Sequence, residues 1–327
     1  MDRLGLCGFK NFGNTCWLNS SIQCLLKTEP MINYFLSKNF NNTILSKEWA
    51  RLIHGTIDDD CIITPLSFFK SIIISANKNG YMFNFRRQND VQEFLVFFID
   101  SIHEELKHKV NINITGKIVN ELDKMAFEAM KQWKDYFKNQ YSTIIEIFYG
   151  QLCSHIKAID NDIHSYNYSP ICTFSLPINV ENDSSSIYDC FDLFTKKQLL
   201  DGENKWKYDK DGKYYDIEKN LMVWKFPNIL ILHFKRFNNS GNKINNLIEF
   251  PIDQLDLRKY CVGYDKNKSI FSLFGVCNHI GSINSGHYFS YCKHKDNWYN
   301  YDDTNITKIK EDELVTKNAY CLFYKKK

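Results

Sequence analysis

Apolar side chains recur every three to four residues in three stretches of the first 150 residues, which predicts amphipathic helices. The first stretch begins near Cys16 and carries Leu18, Ile22, Leu25 and Leu26. The second lies within "NDVQEFLVFFIDSIHEELKHK" and the third within "ELDKMAFEAMKQWKDYF". We therefore expect residues 1–149 to be mainly helical.

Beyond Gly150 the pattern changes to short runs that favour β-strands. Residues 150–226 contain "ICTFSLPINV" and "KYYDIEKNLMVWKF", are rich in Asn, Asp and Ser, and are predicted to form β-hairpins. Residues 227–327 contain "NILILHFKRF", "SLFGVCNHI", "GHYFSYCKH", "NWYNY" and "NAYCLFYK", which predict an antiparallel sheet. The fold class is therefore α+β.

The composition is that of one globular domain. The chain has 327 residues, of which 44% are hydrophobic, and we find no repeat or long linker that divides it. Its net charge of +3 comes from 41 basic and 38 acidic residues scattered along the chain, which argues against nucleic-acid and membrane-surface partners. No apolar run approaches the roughly 20 residues that span a bilayer, and "MDRLGLCGFK" lacks the core of a secretion signal. We expect a soluble, intracellular protein.

The eleven cysteines favour reduced thiols over a disulfide framework, because they are odd in number, widely spread and without a repeated short spacing. The sequence contains no CxxC pair, so a cysteine-only zinc ribbon is also unsupported.

One of these cysteines, Cys16 in "GNTCWLNSSIQCLL", lies where a helix is predicted to begin, after Asn14 and Thr15. The unpaired N–H groups and dipole of a helix N-terminus favour a thiolate. This stretch alone is compatible with a nucleophile and with an inert core cysteine.

A thiolate nucleophile needs a base and a group that orients the base. His287 begins a predicted strand after a turn-rich loop, and the next strand ends in Asp302 and Asp303. An aspartate that accepts a hydrogen bond from the imidazole completes the arrangement of thiol proteases. Taken singly, each of these residues also fits a structural role.

Five segments together resemble the ubiquitin-specific protease family. "GFKNFGNTCWLNSSIQCLL" resembles the family's cysteine box, and "SGHYFSYCKHKDNWYNYDDTNI" resembles its histidine box. "QNDVQEFL", "YSTIIEIFYGQLCSHIK" and "FPNILILHFKRF" resemble further family segments in the expected order. The matches run from Gly8 to Tyr324, and five ordered motifs are far more specific than any one of them.

The resemblance implies a single catalytic domain over residues 1–327 with a papain-like cysteine protease fold. Its parts would be a helical thumb (about 1–149), β-hairpin fingers inserted in the chain (150–226) and an antiparallel β-sheet palm (227–327). The active site would lie between the thumb, which carries Cys16, and the palm, which carries His287.

The resemblance also implies the roles of the catalytic residues. Cys16 would attack the carbonyl of the C-terminal glycine of ubiquitin, and His287 would act as general base and acid. Asn11 matches the family's oxyanion residue. The family places its orienting acid at Asp302; since adjacent strand residues point to opposite faces, Asp303 is given a supporting polar role.

Substrate binding is implied for residues of the glutamine-containing box and the histidine box: Asp90, Gln92, Glu93, Gly286 and Tyr288. The acids would bind the basic tail of ubiquitin, although acids at a helix N-terminus are also favoured by the dipole. Tyr288 would wall the channel that admits Gly-Gly.

The sequence departs from the family in the fingers, where relatives often hold zinc. The four positions of the expected ligands are Ala158, Asn161, Tyr208 and Asp211, which is not a zinc-binding set. Substitute ligands would have to come from Cys153, His155, His164 and Cys172, whose spacing does not reproduce paired knuckles. We predict no metal and no cofactor.

The resemblance implies an active deubiquitinating thiol protease that binds ubiquitin or ubiquitin-conjugated proteins, with no nucleic-acid or membrane partner, as a monomer. It would work in the cytoplasm or nucleus of a eukaryotic cell, including a host cell. Two alternatives stay open: a ubiquitin-binding scaffold with weak catalysis, and a protease for another modifier that ends in Gly-Gly.

Overall fold

The computed structural model describes residues 4–57, 60–181, 183–283 and 285–327. Within these ranges, eight α-helices are formed: α1 (Cys16–Leu25), α2 (Glu29–Leu36), α3 (Leu45–His54), α4 (Leu66–Lys78), α5 (Val91–Leu106), α6 (Glu121–Phe137), α7 (Thr143–Phe148) and α8 (Ile187–Phe194). The three helices predicted from apolar spacing correspond to α1, α5 and α6.

The strands of the first 226 residues are β1 (Cys7–Phe9), β2 (Cys61–Ile63), β3 (Gly150–Ala158), β4 (His164–Ile171), β5 (Thr173–Leu176), β6 (Ser184–Ser186), β7 (Gln198–Leu200), β8 (Trp206–Lys207), β9 (Tyr214–Tyr215) and β10 (Ile217–Lys225). The later strands are β11 (Ile229–Phe234), β12 (Leu247–Glu249), β13 (Leu255–Asp256), β14 (Ile270–Gly281), β15 (Gly286–His294), β16 (Asn297–Asp302), β17 (Asn305–Ile309) and β18 (Ala319–Lys326).

The helical half packs around aromatic side chains on α1 and α5. Trp17 lies 5.3 Å from Phe94, and Phe98 lies 5.2 Å from Trp49, measured between ring centroids. All four rings are fully buried. Burial of each large aromatic side chain contributes on the order of 2–3 kcal/mol, so this cluster holds α1 and α5 together.

The main sheet has the order β17-β16-β15-β14-β18-β11-β5, with β13 paired to β14. Its pairs are antiparallel, as predicted, except that β5 joins β11 in parallel. Every residue of β11 is buried, which explains its uninterrupted apolar run "ILILHF". This strand lies between β18 and β5 in the main sheet, which we call the palm sheet.

Helix α1 lies against the palm sheet. The Sγ atom of Cys24 is 3.6 Å from that of Cys277 on β14 and 3.7 Å from that of Cys292 on β15. A Cβ atom added at Gly275 would lie only 3.1 Å from the Cys24 sulfur, so a glycine there allows the close approach. All ten residues of α1 are buried, and this docking fixes its N-terminus beside β15.

A second sheet, of order β4-β3-β10-β7, is covered on one face by α6. The hairpin β8-β9 extends this part of the chain. Residues 150–226 are not uniformly β-hairpin, however: α8 is a helix, and β5 belongs to the palm sheet. A capping box between Ser186 and Asp189 starts α8, so the serines and aspartates that suggested turns also begin a helix.

No helix in the described parts of the chain combines the length and apolar character that crossing a bilayer requires.

The buried Arg236 ties the end of β11 to its surroundings through backbone carbonyls. Its Nε donates to the carbonyl of Ala319 at 2.6 Å, and its Nη1 donates to those of Ile244 and Asn246 at 2.9 and 3.0 Å. We predict that Arg236→Met lowers the free energy of unfolding by about 3 kcal/mol or more, because each buried acceptor that loses its donor costs about 1–3 kcal/mol.

Denaturant unfolding measures this change, with Arg258→Met as the matched control. Arg258 forms an exposed ion pair with Asp256, and its loss should cost no more than about 0.5 kcal/mol. Equal destabilisation by both substitutions would contradict the assignment.

Candidate active site

Cys16 is the first residue of α1, as the sequence predicted, and its side chain is 2% exposed. Thr15 precedes it, and the Thr15 backbone N–H donates to Oδ1 of Asn11 at 3.1 Å. The sulfur of Cys16 therefore lies at the N-terminus of α1.

His287 is the second residue of β15, and its Nε2 lies 2.6 Å from Oδ1 of Asp302 at the end of β16. This short contact fixes the ring and its tautomer, with Nδ1 as the remaining nitrogen. The structure therefore brings together Asp302 and His287 as predicted.

The pKa of His287 is raised to about 9, and the largest cause is the hydrogen bond from Cys16. Burial alone would lower this pKa, and the hydrogen bond to Asp302 raises it further. An imidazole with this pKa is protonated at neutral pH. The Cys16 sulfur therefore faces an imidazolium, the pairing that a thiolate nucleophile requires.

Because the pKa of His287 is raised in the folded state, its contribution to stability is complete below about pH 6.5 and is lost as the pH rises through about 9.

Asp303 contacts Asn11 and α1 instead of His287. It lies in the turn after β16 with a φ of 53°, and its Oδ2 accepts from Nδ2 of Asn11 at 2.9 Å. Its Oδ1 accepts from Nδ2 of Asn19 at 2.7 Å, and its backbone carbonyl accepts from the N–H of Phe9 at 2.8 Å. Asp303 thus contacts the segment that precedes Cys16, and its supporting role in catalysis stays a prediction.

The amide of Asn11 is fixed at both ends. Oδ1 accepts from the N–H and the hydroxyl of Thr15, both at 3.1 Å, and one N–H of Nδ2 donates to Asp303. These hydrogen bonds hold the Asn11 amide ahead of Cys16, and its role at an oxyanion stays a prediction.

Asp90 caps α5. Its Oδ1 accepts from the backbone N–H of Gln92 at 2.6 Å and of Glu93 at 3.4 Å, and its Oδ2 accepts from the hydroxyl of Tyr320 at 2.6 Å. The side chain of Gln92 donates to Thr173, while Glu93 is exposed. Asp90 therefore has a structural role as the N-cap of α5, and tail binding by these residues stays a prediction.

A cavity of about 410 Å³ lies beside these residues. It is lined by Gln88, Asn89, Asp90, His233, Lys235, Arg236, Phe237, His279, Ile283, Tyr288 and Tyr320. Burial lowers the pKa of both histidines to about 4, so both are neutral at pH 7. Nε2 of His233 and Nδ1 of His279 are buried without a hydrogen-bond partner among the described residues. A polar ligand in the cavity would supply these nitrogens with hydrogen-bond partners.

Gly286 lies next to His279, across the pairing of β14 with β15. A Cβ atom at Gly286 would be 2.3 Å from Nε2 of His279, so a side chain there would displace the imidazole. This close packing accounts for a glycine at the residue before His287.

Gln88 is a site residue that sequence reasoning missed. Its Nε2 donates to the carbonyl of Gly286 at 2.7 Å and to Oδ1 of Asn14 at 3.2 Å, and its Oε1 is 3.9 Å from the Cys16 sulfur. Gln88 therefore bridges the helical half and the palm beside the nucleophile. It lies within "QNDVQEFL", but nothing in that segment distinguishes it from Gln92.

Among the described residues, His287, Asp302 and Asp303 form the one group of three whose candidate metal-ligand atoms all lie within 4.8 Å of one another. Hydrogen bonds already join His287 to Asp302 and Asp303 to two asparagines. These hydrogen bonds account for the closeness of the three side chains.

The zinc positions of the family offer poor donors here. Ala158 is buried, and Asp211 accepts from the backbone of Lys213 and the hydroxyl of Tyr215. Of the substitute ligands, Cys153 packs under α6, whereas Nε2 of His155 lies 2.8 Å from Nδ1 of His164. The absence of zinc stays a prediction.

Comparison with protein families gives a match over nearly the whole chain. The model described as ubiquitin carboxyl-terminal hydrolase matches residues 7–324. Human ubiquitin carboxyl-terminal hydrolase 2 is 32% identical over 340 residues, covering 98% of this chain and 55% of the human protein. Ubiquitin carboxyl-terminal hydrolase Usp2 of Drosophila melanogaster is 30% identical over 336 residues, covering 98% of this chain and 35% of the Drosophila protein. The chain spans about half of the first relative and about a third of the second.

Solved structures agree with this match. A chain of the yeast SAGA DUB module aligns with a TM-score of 0.74 and 25% identity, covering 100% of this chain and 69% of that chain. A chain of the SAGA Ubp8/Sgf11/Sus1/Sgf73 DUB module bound to ubiquitin aldehyde aligns with a TM-score of 0.73 and 24% identity. This alignment covers 100% of the present chain and 70% of the SAGA chain. The likenesses confirm the α+β fold class predicted from the sequence.

We predict that His287 titrates near pH 9 and that Cys16→Ala lowers this pKa more than Asp302→Asn does, because Cys16 is the larger of the two influences. NMR of isotope-labelled histidine rings measures both shifts. His233, whose pKa lies at about 4, should keep its low value in both variants and serves as the control. A His287 pKa that does not respond to Cys16→Ala would show that the two side chains are not paired.

Proposed function

Because the chain belongs to the ubiquitin carboxyl-terminal hydrolase family, we propose that it is a cysteine protease that cleaves the peptide or isopeptide bond after the C-terminal glycine of ubiquitin. The observation that carries the proposal is the assembly of Cys16, His287 and Asp302 across the junction of α1 with the palm sheet. Asn11 and Asp303 add a supported hydrogen-bond donor beside the nucleophile.

In the proposed reaction the Cys16 thiolate attacks the carbonyl carbon of the terminal glycine and forms a tetrahedral intermediate. The imidazolium of His287 then gives its proton to the departing amine, and a thioester remains on Cys16. Water, deprotonated by His287, hydrolyses the thioester. Asp302 keeps the ring aligned and stabilises its positive charge during both steps.

The oxyanion of each tetrahedral intermediate would be stabilised by the second N–H of the Asn11 amide and by the backbone N–H of Cys16. The hydrogen bonds from Thr15 and to Asp303 hold the Asn11 amide before substrate arrives. A donor that is already oriented does not have to reorganise as charge develops, which is why such groups are effective.

The substrate tail would reach Cys16 through the cavity lined by Asp90, His233 and Tyr288. Its neutral imidazoles and unpartnered ring nitrogens suit the polar backbone of an extended peptide. Gln88, which bonds the carbonyl of Gly286, spans the cleft and would have to exchange that hydrogen bond for one with the tail. Glu93, which is exposed, would meet a basic side chain of the substrate tail.

Relatives support ubiquitin as the partner, since the SAGA DUB module has been solved bound to monoubiquitin and to ubiquitin aldehyde. The complete Cys16, His287 and Asp302 arrangement disfavours a scaffold without catalysis. Another Gly-Gly-ended modifier remains the competing substrate, because selectivity depends on a broad surface.

A panel of modifiers with a C-terminal fluorogenic amide tests the function. We predict turnover of the ubiquitin substrate, and loss of that turnover to background in Cys16→Ala and His287→Ala because the nucleophile or its base is gone. Cys61→Ala and His164→Ala are matched controls outside the site and should retain activity. Turnover confined to another modifier would refute the proposed substrate, and undiminished turnover in Cys16→Ala would refute the mechanism.

We predict that Asp302→Ala lowers kcat more than Asp303→Ala, and that the effects of Asp303→Ala and Asn11→Ala are not additive. Loss of one oxyanion donor costs roughly 10²–10³ in rate, and Asp303 acts by holding that same donor. The double variant should therefore be about as slow as Asn11→Ala alone. Steady-state kinetics on folded variants decides; multiplicative losses would place Asp303 in a separate role.

A further inference from the structure

Two thiols outside the active site face each other across the short parallel pair β1-β2. Cys7 and Cys61 are directly opposed in its register, and their sulfur atoms are 2.7 Å apart. Cys7 is 3% exposed, whereas Cys61 is partly exposed. Neither residue takes part in the proposed reaction.

The geometry matches what a disulfide needs. Neighbouring strands lie about 4.8 Å apart, within the ~4.4–6.8 Å that disulfides span between Cα atoms. An S–S bond of about 2.05 Å requires the two sulfurs to approach by only about 0.7 Å. We propose that Cys7 and Cys61 are an oxidative modification site, at which an intramolecular disulfide forms and clamps the N-terminal strand to β2.

The other close thiols of the described structure lack access. Cys24 lies 3.6 Å from Cys277 and 3.7 Å from Cys292, and all three are completely buried between α1 and the palm sheet. A small disulfide or peroxide cannot reach them without unfolding. The pair Cys7 and Cys61 combines direct opposition with one accessible sulfur.

Glutathione disulfide is a sufficient oxidant. The Cys61 thiolate attacks one of its sulfurs, releases glutathione and leaves a mixed disulfide on Cys61. Cys7 then attacks the Cys61 sulfur and releases the second glutathione, so two protein thiols are oxidised and one glutathione disulfide is reduced to two thiols. Cys7 is 3% exposed, so the partly exposed Cys61 meets glutathione disulfide first, and the proton of the Cys7 thiol passes to the departing glutathione.

The proposed disulfide at Cys7 lies just before Asn11, the proposed oxyanion donor, in the chain. The carbonyl of Cys7 accepts from Nε2 of Gln23 at 2.7 Å, the N–H of Phe9 donates to Asp303, and the N–H of Lys10 donates to Ile63 at 3.0 Å. A Cβ atom at Gly8 would lie 2.8 Å from the backbone of Thr304, so β1 is packed tightly on the turn that holds Asn11. Small movement of the sulfurs leaves these contacts in place, and the disulfide restrains them.

The test uses the full chain carrying Cys16→Ala, so that the nucleophile cannot compete for the oxidant. The protein is incubated with glutathione disulfide, its remaining thiols are alkylated, and unreduced peptides are mapped by mass spectrometry. We expect a peptide pair linked through Cys7 and Cys61. We also expect a rise in Tm of about 5 °C, since the bond closes a long loop in the unfolded chain.

Two further variants keep the result interpretable. Cys61→Ser should lose both the linked peptide and the rise in Tm, and Cys7→Ser should stop at glutathione on Cys61. In the Cys16→Ala protein that keeps both Cys7 and Cys61, dithiothreitol should reverse the rise in Tm. Glutathione on Cys61 of the parent with Cys7 still open to alkylation, or a linked pair without a change in Tm, would overturn the proposal.

Discussion

The docking of α1 on the palm sheet is the contact on which the site depends. The helix is buried along its whole length, and Cys24 packs against Cys277 and Cys292 from two adjacent strands. Since α1 begins at Cys16 and His287 is the second residue of β15, this packing sets how close the proposed nucleophile lies to the proposed base. The raised pKa of His287 follows from it, because the Cys16 side chain is its largest cause.

A second constraint comes from the turn after β16, where two adjacent aspartates serve different elements. Asp302 ends the strand and orients His287, whereas Asp303 adopts a positive φ and binds Asn11 and Asn19. A single turn thus holds both the proposed base, His287, and the proposed oxyanion donor, Asn11. The positions of His287 and Asn11 are therefore linked through the neighbouring residues Asp302 and Asp303.

Apolar residues at helical spacing were enough to predict α1, α5 and α6, and a short apolar run was enough to predict the strand β11. The helix α8 was hidden, since the serines and aspartates that cap a helix also form turns. The contacts of Gln88 and the direction of Asp303 could not be predicted, because they join residues far apart in sequence. The roles of Asn11 and Asp302 came from family resemblance, and the structure supplies the hydrogen bonds that support them.

The most direct measurement treats the protein with ubiquitin that carries a C-terminal electrophile and maps the adduct by mass spectrometry. The central claim is that α1 presents one nucleophile, Cys16, to a tail lying in the cleft between the helical half and the palm. The account predicts a single adduct, on Cys16, at a rate that falls when His287 is replaced. An adduct on any of the other ten cysteines, or none on the folded protein, would contradict it.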